Sequence, residues 1–295
     1  MMAKDLPIGV IGGGLGGLAA ACTLAARGHE VILFEKNGWL GGKAAVFEER
    51  GFRFDMGPTI LTMPRVLARI FGEAGRGLED ELDLVRLDPQ WRCFFDDGST
   101  LDLREDMDAM RRELEAFAPG NGTADGYAAF LRVSQRLHEV SDRFFFWKPV
   151  ESLRDTIDLK RNLSAATLAD VLSLRMGATV AGTVRRKVQD ARVAQMLDHF
   201  IQYVGSSPHG APAVLCAIAH LQVGYGVWYP RGGIRAVPAA LARLAEQLGA
   251  TVRTGADVRR ILIEKGRLQG VEMADGERIA LGAVVSNMDS VRTYW

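Results

Sequence analysis

Ile8-Gly9-Val10-Ile11-Gly12-Gly13-Gly14-Leu15-Gly16-Gly17 is the stretch that decides the fold. Its first four residues are an apolar run short enough to be a fully buried strand. Gly12, Gly14 and Gly17 then stand in the G-x-G-x-x-G register, and Leu18 to Arg27, rich in Ala and Leu, predicts a helix closed by Gly28. Val31-Ile32-Leu33-Phe34-Glu35 predicts a second buried strand with a carboxylate at its end. Each glycine has its own task. Gly12 permits the tight turn, Gly14 lets backbone approach a pyrophosphate, and Gly17 lets helix and strand pack closely. The helix N-terminus offers unpaired N–H groups and partial positive charge to that anion. Glu35 stands where such folds place a ribose-binding acid. A strand before the glycines, a helix after them and an acid closing the next strand make this more than an ordinary turn. The stretch predicts a dinucleotide site.

The rest of the composition narrows the class. A chain of 295 residues with 48% hydrophobic content can bury a sizeable core, and its length suggests roughly two domains. Lys plus Arg and Asp plus Glu are equal at 36 each, so no global field points to nucleic acid. Cys22, Cys93 and Cys216 are scattered, odd in number and without metal-ligand spacing. They read as core thiols of a cytoplasmic protein, with no metal site expected. His29, His138, His199, His209 and His220 are dispersed and read as packing or surface residues. Met1 to Pro7 is too short and polar for a signal peptide, and Ala211 to Tyr225 is too short to span a bilayer.

Glu35 is followed by Lys36-Asn37-Gly38-Trp39-Leu40-Gly41-Gly42-Lys43-Ala44, a glycine-bearing loop with a cation suited to a second approach to phosphate. Gly51-Phe52-Arg53-Phe54-Asp55-Met56-Gly57-Pro58-Thr59 then predicts a short strand ending in a forced turn. Gly57 is expected to take a backbone conformation closed to other residues, and Pro58 to stop the strand.

These segments together resemble a family. Gly12-x-Gly14-x-x-Gly17, Glu35, Leu40-Gly41-Gly42-Lys43 and Phe54-Asp55-Met56-Gly57-Pro58-Thr59 are similar to carotenoid desaturases of the bacterial phytoene desaturase type. Those enzymes belong to the FAD superfamily that includes amine oxidases and protoporphyrinogen oxidase. Lys43 departs from the pattern, where arginine is commoner; it keeps the charge and loses the planar fork for bidentate phosphate contact. The resemblance implies an α/β fold, a Rossmann-like FAD-binding domain of the glutathione-reductase-2 type with an inserted mixed α+β substrate domain. The expected cofactor-binding residues are Gly12, Gly14, Leu15, Gly16, Gly17, Glu35, Lys36, Gly41, Gly42, Lys43, Gly57, Pro58, Thr59, Val258 and Asn287. Of these, Val258 beside the adenine and Asn287 near the cofactor follow from the resemblance alone. Glu35 disfavours a 2′-phosphate, which argues against NADP in this slot.

The expected layout is residues 1–80 as the first part of the FAD-binding domain, 81–225 as the substrate and membrane-facing domain, and 226–295 as the return segment. Trp91 to Phe95 and Thr100 to Leu103 predict a hairpin turned at Asp-Gly. Met107 to Val204 reads as mainly helical, broken at Pro119 to Thr123 and at Pro149. Within it, Arg143-Phe144-Phe145-Phe146-Trp147-Lys148 is a candidate interfacial anchor and competes with a core reading. Arg185-Arg186-Lys187 with Arg192 reads first as a solvated helix face. Tyr229-Pro230-Arg231-Gly232-Gly233 is similar to the turn by which desaturases re-enter the nucleotide domain. It precedes a helix to about Leu248 with Val237, Leu241, Leu244 and Leu248 as one buried stripe. Ala250 to Arg253 predicts a parallel strand. Val258 to Ile263, Leu268 to Met273 and Arg278 to Leu281 predict an antiparallel unit, and Ala283 to Asn287 a return to the main sheet. Family members continue past this point, so a truncated chain is expected.

The resemblance implies an FAD-dependent desaturase of a long linear isoprenoid such as phytoene, transferring hydride to flavin. No catalytic residue is assigned. Oxygen or a quinone is the expected electron acceptor, a hydrophobic polyene the expected partner, and nucleic acid is not expected. The expected location is the cytoplasm, with peripheral attachment at the inner face of the membrane. Two alternatives stay open: another flavin oxidase acting on an amine or porphyrinogen, and a non-enzymatic isoprenoid binder on the same scaffold.

Overall fold

The computed structural model describes residues 6–142 and 177–294; Arg143 to Lys148 and Pro149 lie outside them. The chain divides into two units, Met1–Arg86 with Trp228–Trp295, and Leu87–Val227.

The first unit is built on a four-stranded parallel sheet. Strand β1 (Ile8–Ile11) leads through helix α1 (Leu15–Ala26) to strand β2 (Val31–Glu35). The strand order is Ala283–Ser286, β1, β2, Thr251–Thr254. Ile8 pairs with both Ala283 and Val31, and Glu35 with Thr254. Both faces of this sheet are covered, which is why β1 and β2 are written as continuous apolar runs. Successive side chains point to opposite faces. Val10, Val31 and Leu33 therefore join α1 and the helix Ala236–Gln247 in one core. Ile11, Ile32 and Phe34 join the antiparallel strands Val258–Glu264, Arg267–Met273 and Arg278–Ala280 in another. Val10 and Leu33 are wholly buried, each contributing about 1.5–3 kcal/mol relative to exposure. Gly9 faces the second core because a β-carbon there would lie 2.5 Å from Leu281 Cδ1.

Small residues set the fit on the helical side. Ala21, Cys22 and Ala25 of α1 pack in the same cluster as Val237, Ala240, Leu241 and Leu244, and Leu248 is only partly buried at its edge. The predicted stripe thus faces the core. Two pairings go beyond the sequence reading. Val46–Glu49 pairs antiparallel with Phe52–Asp55, turned at Arg50 and Gly51 with φ of 50° and 83°. Leu84–Arg86 pairs with Trp228–Pro230, so the chain leaves this unit and re-enters it on neighbouring strands.

The second unit opens with the hairpin Trp91–Phe94 and Thr100–Leu103, with Gly98 in the left-handed region. Its described helices include Met107–Phe117, Thr123–Ser141, Val180–Arg185, Ala191–Asp198 and Ala217–Tyr225. Several starts are written in the sequence: the Asp106 carboxylate accepts from Ala109 N, and Asp190 from Arg192 N and Val193 N. Leu101, Leu103, Met110, Leu114, Tyr127 and Phe130 form the centre of its core. Arg185 pairs with Asp198 at 2.7 Å, and Arg192 with Asp97 at 2.8 Å and Asp190 at 3.2 Å. Among the described residues, no helix is long and apolar enough to cross a membrane.

Candidate functional site

A cleft of about 970 Å³ opens in the first unit where β1, β2 and Ala283–Ser286 end. Open parallel sheets bind ligands at this end, beyond the carboxyl termini of the strands. Gly12 makes the turn with φ of 96°. Gly14 precedes α1 in extended conformation and supplies no side-chain cap, which leaves first-turn N–H groups for a ligand. A β-carbon on Gly17 would lie 1.9 Å from the carbonyl oxygen of Gly12, so α1 can start this close to β1 only without a side chain there. Asn287 lies over the same turn: its backbone N–H donates to Ile11 O at 2.8 Å. A β-carbon on Gly16 would meet Asn287 Oδ1 at 2.5 Å, and one on Gly14 would meet Nδ2 at 3.1 Å.

The second glycine loop lies directly against the first. Gly41 N–H donates to Gly13 O at 2.8 Å, and a β-carbon on Gly42 would be 3.1 Å from Gly14 Cα. Lys43 follows at the cleft wall. Glu35 is buried, and its carboxylate accepts from Gly13 N at 2.8 Å, Asn37 N at 2.9 Å and Asn37 Nδ2 at 2.7 Å. The acid therefore pins the glycine turn while lining the cleft.

Gly12, Gly14, Leu15, Glu35, Lys36, Gly41, Gly42, Lys43, Pro58, Val258 and Asn287 all line this one cleft. Gly16, Gly17, Gly57 and Thr59 are not among its lining residues; Gly16 and Gly17 act one layer back, through Asn287 and Gly12. The expectation for Gly57 needs correction. Its φ is outside the left-handed region, and the glycine is required instead because a β-carbon would lie 2.1 Å from the carbonyl oxygen of Lys43. Asn37, Asp257, Arg259, Arg260 and Arg292 line the cleft without having been picked out from sequence. Asn37 carried a usable signal, a side-chain amide two residues after the acid in a turn.

In the second unit, His138 and His220 are less dispersed than they read. Their ring centroids are 5.1 Å apart, and His138 Nε2 lies 3.1 Å from Tyr225 Oη. Burial first, and the neighbouring His138 second, hold the His220 imidazole below its ordinary range.

A parallel sheet, a glycine turn at a helix start, a second glycine loop and a buried acid define a dinucleotide-binding flavoprotein fold. The family described as flavin containing amine oxidoreductase matches residues 15–290. The chain belongs to that family, and its cofactor is FAD. It is 38% identical over 282 residues to a 4,4'-diapolycopene oxygenase of Methylomonas sp, covering 96% of this chain and 55% of the relative. It is 34% identical over 285 residues to a 4,4'-diaponeurosporene oxygenase of Staphylococcus haemolyticus, covering 97% and 55%. The chain thus spans about half the length of these curated relatives. Among solved structures, an oxidoreductase from Methanosarcina mazei is similar at a TM-score of 0.65 and 21% identity, covering 98% of this chain and 60% of that one. Putrescine oxidase bound to putrescine gives 0.63 at 16% identity, covering 98% and 60%. Rab GDI from Plasmodium falciparum gives 0.57 at 12%, covering 97% and 66%. At these identities the structures share the fold alone.

The residues present fit FAD. The cradle of Gly14 and Gly42 has bare backbone where a diphosphate needs close approach, Lys43 supplies a cation beside it, and a buried carboxylate stands ready for a ribose hydroxyl.

Proposed function

We propose that the protein is an FAD-dependent oxidoreductase acting on a long linear carotenoid. The observation that carries this reading is 38% identity along 96% of the chain to an enzyme named for oxidation of 4,4'-diapolycopene. The glycine turn and the N-terminus of α1 hold the diphosphate, with Gly41, Gly42 and Lys43 on its other side. Glu35 and Lys36 hold the adenosine ribose, and the backbone at Val258 meets the adenine. Asn287 fixes the glycine turn from outside, Met56 and Gly57 fix the loop that carries Lys43, and Pro58 with Thr59 would complete the cofactor site beside them. Bound flavin supplies a two-electron redox centre.

A hydrocarbon substrate has no charge to grip, so recognition rests on apolar surface, and charge developing on an allylic carbon spreads along the polyene. No acid–base residue is assigned. Among polyene oxidations, the names of the relatives favour introduction of oxygen. Desaturation is the second reading, favoured by Phe54-Asp55-Met56-Gly57-Pro58-Thr59. In the first reading molecular oxygen would supply the introduced atom; in the second, oxygen or a quinone would accept the two electrons taken from the polyene. A polyene dissolves in lipid, so peripheral attachment to the inner face of the membrane from the cytoplasm belongs to the same proposal.

The test is a visible spectrum after gel filtration, followed by incubation with 4,4'-diapolycopene, 4,4'-diaponeurosporene and phytoene in liposomes. Flavin bands that co-elute with protein, with a product that gains oxygen, are the expected result. Loss of hydrogen without gain of oxygen selects desaturation. Retained flavin with every polyene unchanged, alongside turnover of an amine or porphyrinogen, overturns the substrate class.

A further inference from the structure

We infer that Asn37 is a positioning residue for ribose recognition: it saturates one oxygen of the Glu35 carboxylate and leaves the other with a single acceptor position, for one hydroxyl. The inference rests on the reading of the cleft as the seat of the adenosine half of FAD.

An ionised carboxylate offers about four lone-pair positions, two on each oxygen. The chain fills three of them at Glu35. Oε1 accepts from Asn37 N at 2.9 Å and from Asn37 Nδ2 at 2.7 Å, while among the described residues Oε2 accepts only from Gly13 N at 2.8 Å. The open position is therefore on Oε2, beside the glycine turn. Glu35 as a residue is 6% exposed, and what it exposes lies at the cleft. A ribose brings two neighbouring hydroxyl donors, and this arrangement accepts one of them.

Asn37 also fixes where the acid stands. Its carbonyl accepts from Gly255 N at 2.9 Å, and the Glu35 carbonyl accepts from Ala256 N at 2.8 Å. The loop so held presents Ala256 and Asp257 to the cleft, which Asn37 itself lines. These backbone contacts tie the turn from Glu35 to Asn37 to the opposite wall, and the Asn37 side chain adds its own bond to the acid. An aspartate at position 37 has the same shape but cannot donate to Oε1, and would set two carboxylates against each other.

The experiment titrates the purified protein with FAD and with FAD analogues lacking the 2′- or the 3′-hydroxyl of the adenosine, followed by flavin fluorescence. One analogue is expected to bind roughly ten- to a hundredfold more weakly than FAD and the other about as well, the range for a hydrogen bond to a charged group. In Asn37→Ala the side-chain donor is lost and one acceptor position on Oε1 opens, while the backbone N–H groups of residue 37 and Gly13 still hold the carboxylate, so the gap between the analogues shrinks to under about threefold. Asn37→Leu, close in volume and without a donor or a charge, carries the same expectation should the alanine variant fail to fold. Equal weakening of both analogues on the parent protein overturns the inference. So does an unchanged gap in the variants, or a uniform loss for all three ligands, which marks a purely structural residue. A parent protein that binds none of the three overturns the cleft reading first.

Discussion

Gly17 and Gly12 touch through a space that no side chain can enter: a β-carbon built on Gly17 lies 1.9 Å from the Gly12 carbonyl oxygen. That oxygen belongs to backbone at the end of β1 and cannot swing aside. Gly17→Ala must push α1 away from the strand, an overpacking cost on the order of 1–3 kcal/mol. Gly16→Ala meets only the Asn287 side chain, which can turn. Differential scanning fluorimetry should show a clearly lowered melting temperature for Gly17→Ala and a near-parental one for Gly16→Ala. Flavin absorbance after gel filtration should be lost in the first variant and largely kept in the second. A yellow, fully stable Gly17→Ala protein would remove close approach as the reason for this glycine.

Gly57 and Gly51 separate close approach from backbone torsion. Gly57 needs a bare α-carbon because of the Lys43 carbonyl at 2.1 Å, without a left-handed φ. Gly51 has φ of 83° and nothing within 4 Å of its missing β-carbon. Gly51→Ala therefore costs only the left-handed strain of one residue, about 1–2 kcal/mol, in a hairpin away from the cleft. Gly57→Ala displaces the loop carrying Lys43, so FAD affinity should fall at least tenfold. Gly51→Ala should bind FAD like the parent. Equal affinities for the two variants would mean that the position of Lys43 does not matter to the cofactor.

Much of the first unit is legible because its central strands are covered on both faces and so read as short apolar runs, with Gly9 inside the first and the G-x-G-x-x-G glycines in the turn that follows it. The antiparallel strands from Val258 onward are legible from their turn residues at Lys265-Gly266 and Asp275-Gly276. The strand Val46–Glu49 was not: two of its four residues are acids and none is buried, so it carries no period. The pairing of Leu84–Arg86 with Trp228–Pro230 joins three-residue strands distant in sequence, and only packing brings them together. At the site, the glycine register and Glu35 are written in types and spacing. Asn37 and the close approach at Gly57 depend on which atoms meet.

The second unit should lose stability in mild acid. Burial holds the His199 imidazole below its ordinary range, only partly offset by its contact with the Met196 carbonyl. The His220 ring is shifted the same way. A folded-state value below the unfolded one, about 6.5, means that the unfolded chain takes up the proton first. Stability is then fully present above about pH 6.5 and falls as the pH drops through the folded-state values. Asp97, Asp102 and Asp190 are shifted down from their ordinary carboxylate range, so their loss comes later, below about pH 4. The urea midpoint of the parent should fall between pH 7.5 and 5.5, and His199→Gln should show a smaller fall. An unchanged slope in that variant would clear His199 of the effect.

Cys22 reports on the packing beneath the nucleotide turn. Its thiol is 1% exposed and donates to Leu241 O at 3.2 Å, between α1 and the helix Ala236–Gln247. Burial pushes it up to about 11, against the opposing effect of its backbone hydrogen bonds. At pH 8 only roughly a thousandth of it is thiolate, the reactive form, and no reagent reaches it unless the two helices part. Cys93 is also shifted up by burial but is only partly buried, so it should label first. With a disulfide exchange reagent at pH 8 and peptide mapping, Cys22 should react only on unfolding in urea. Saturating FAD should slow whatever labelling remains, because a ligand held by the native state lowers the population of opened molecules. Rapid native labelling of Cys22, unaffected by FAD, would show that this helix pair opens independently of the cleft above it.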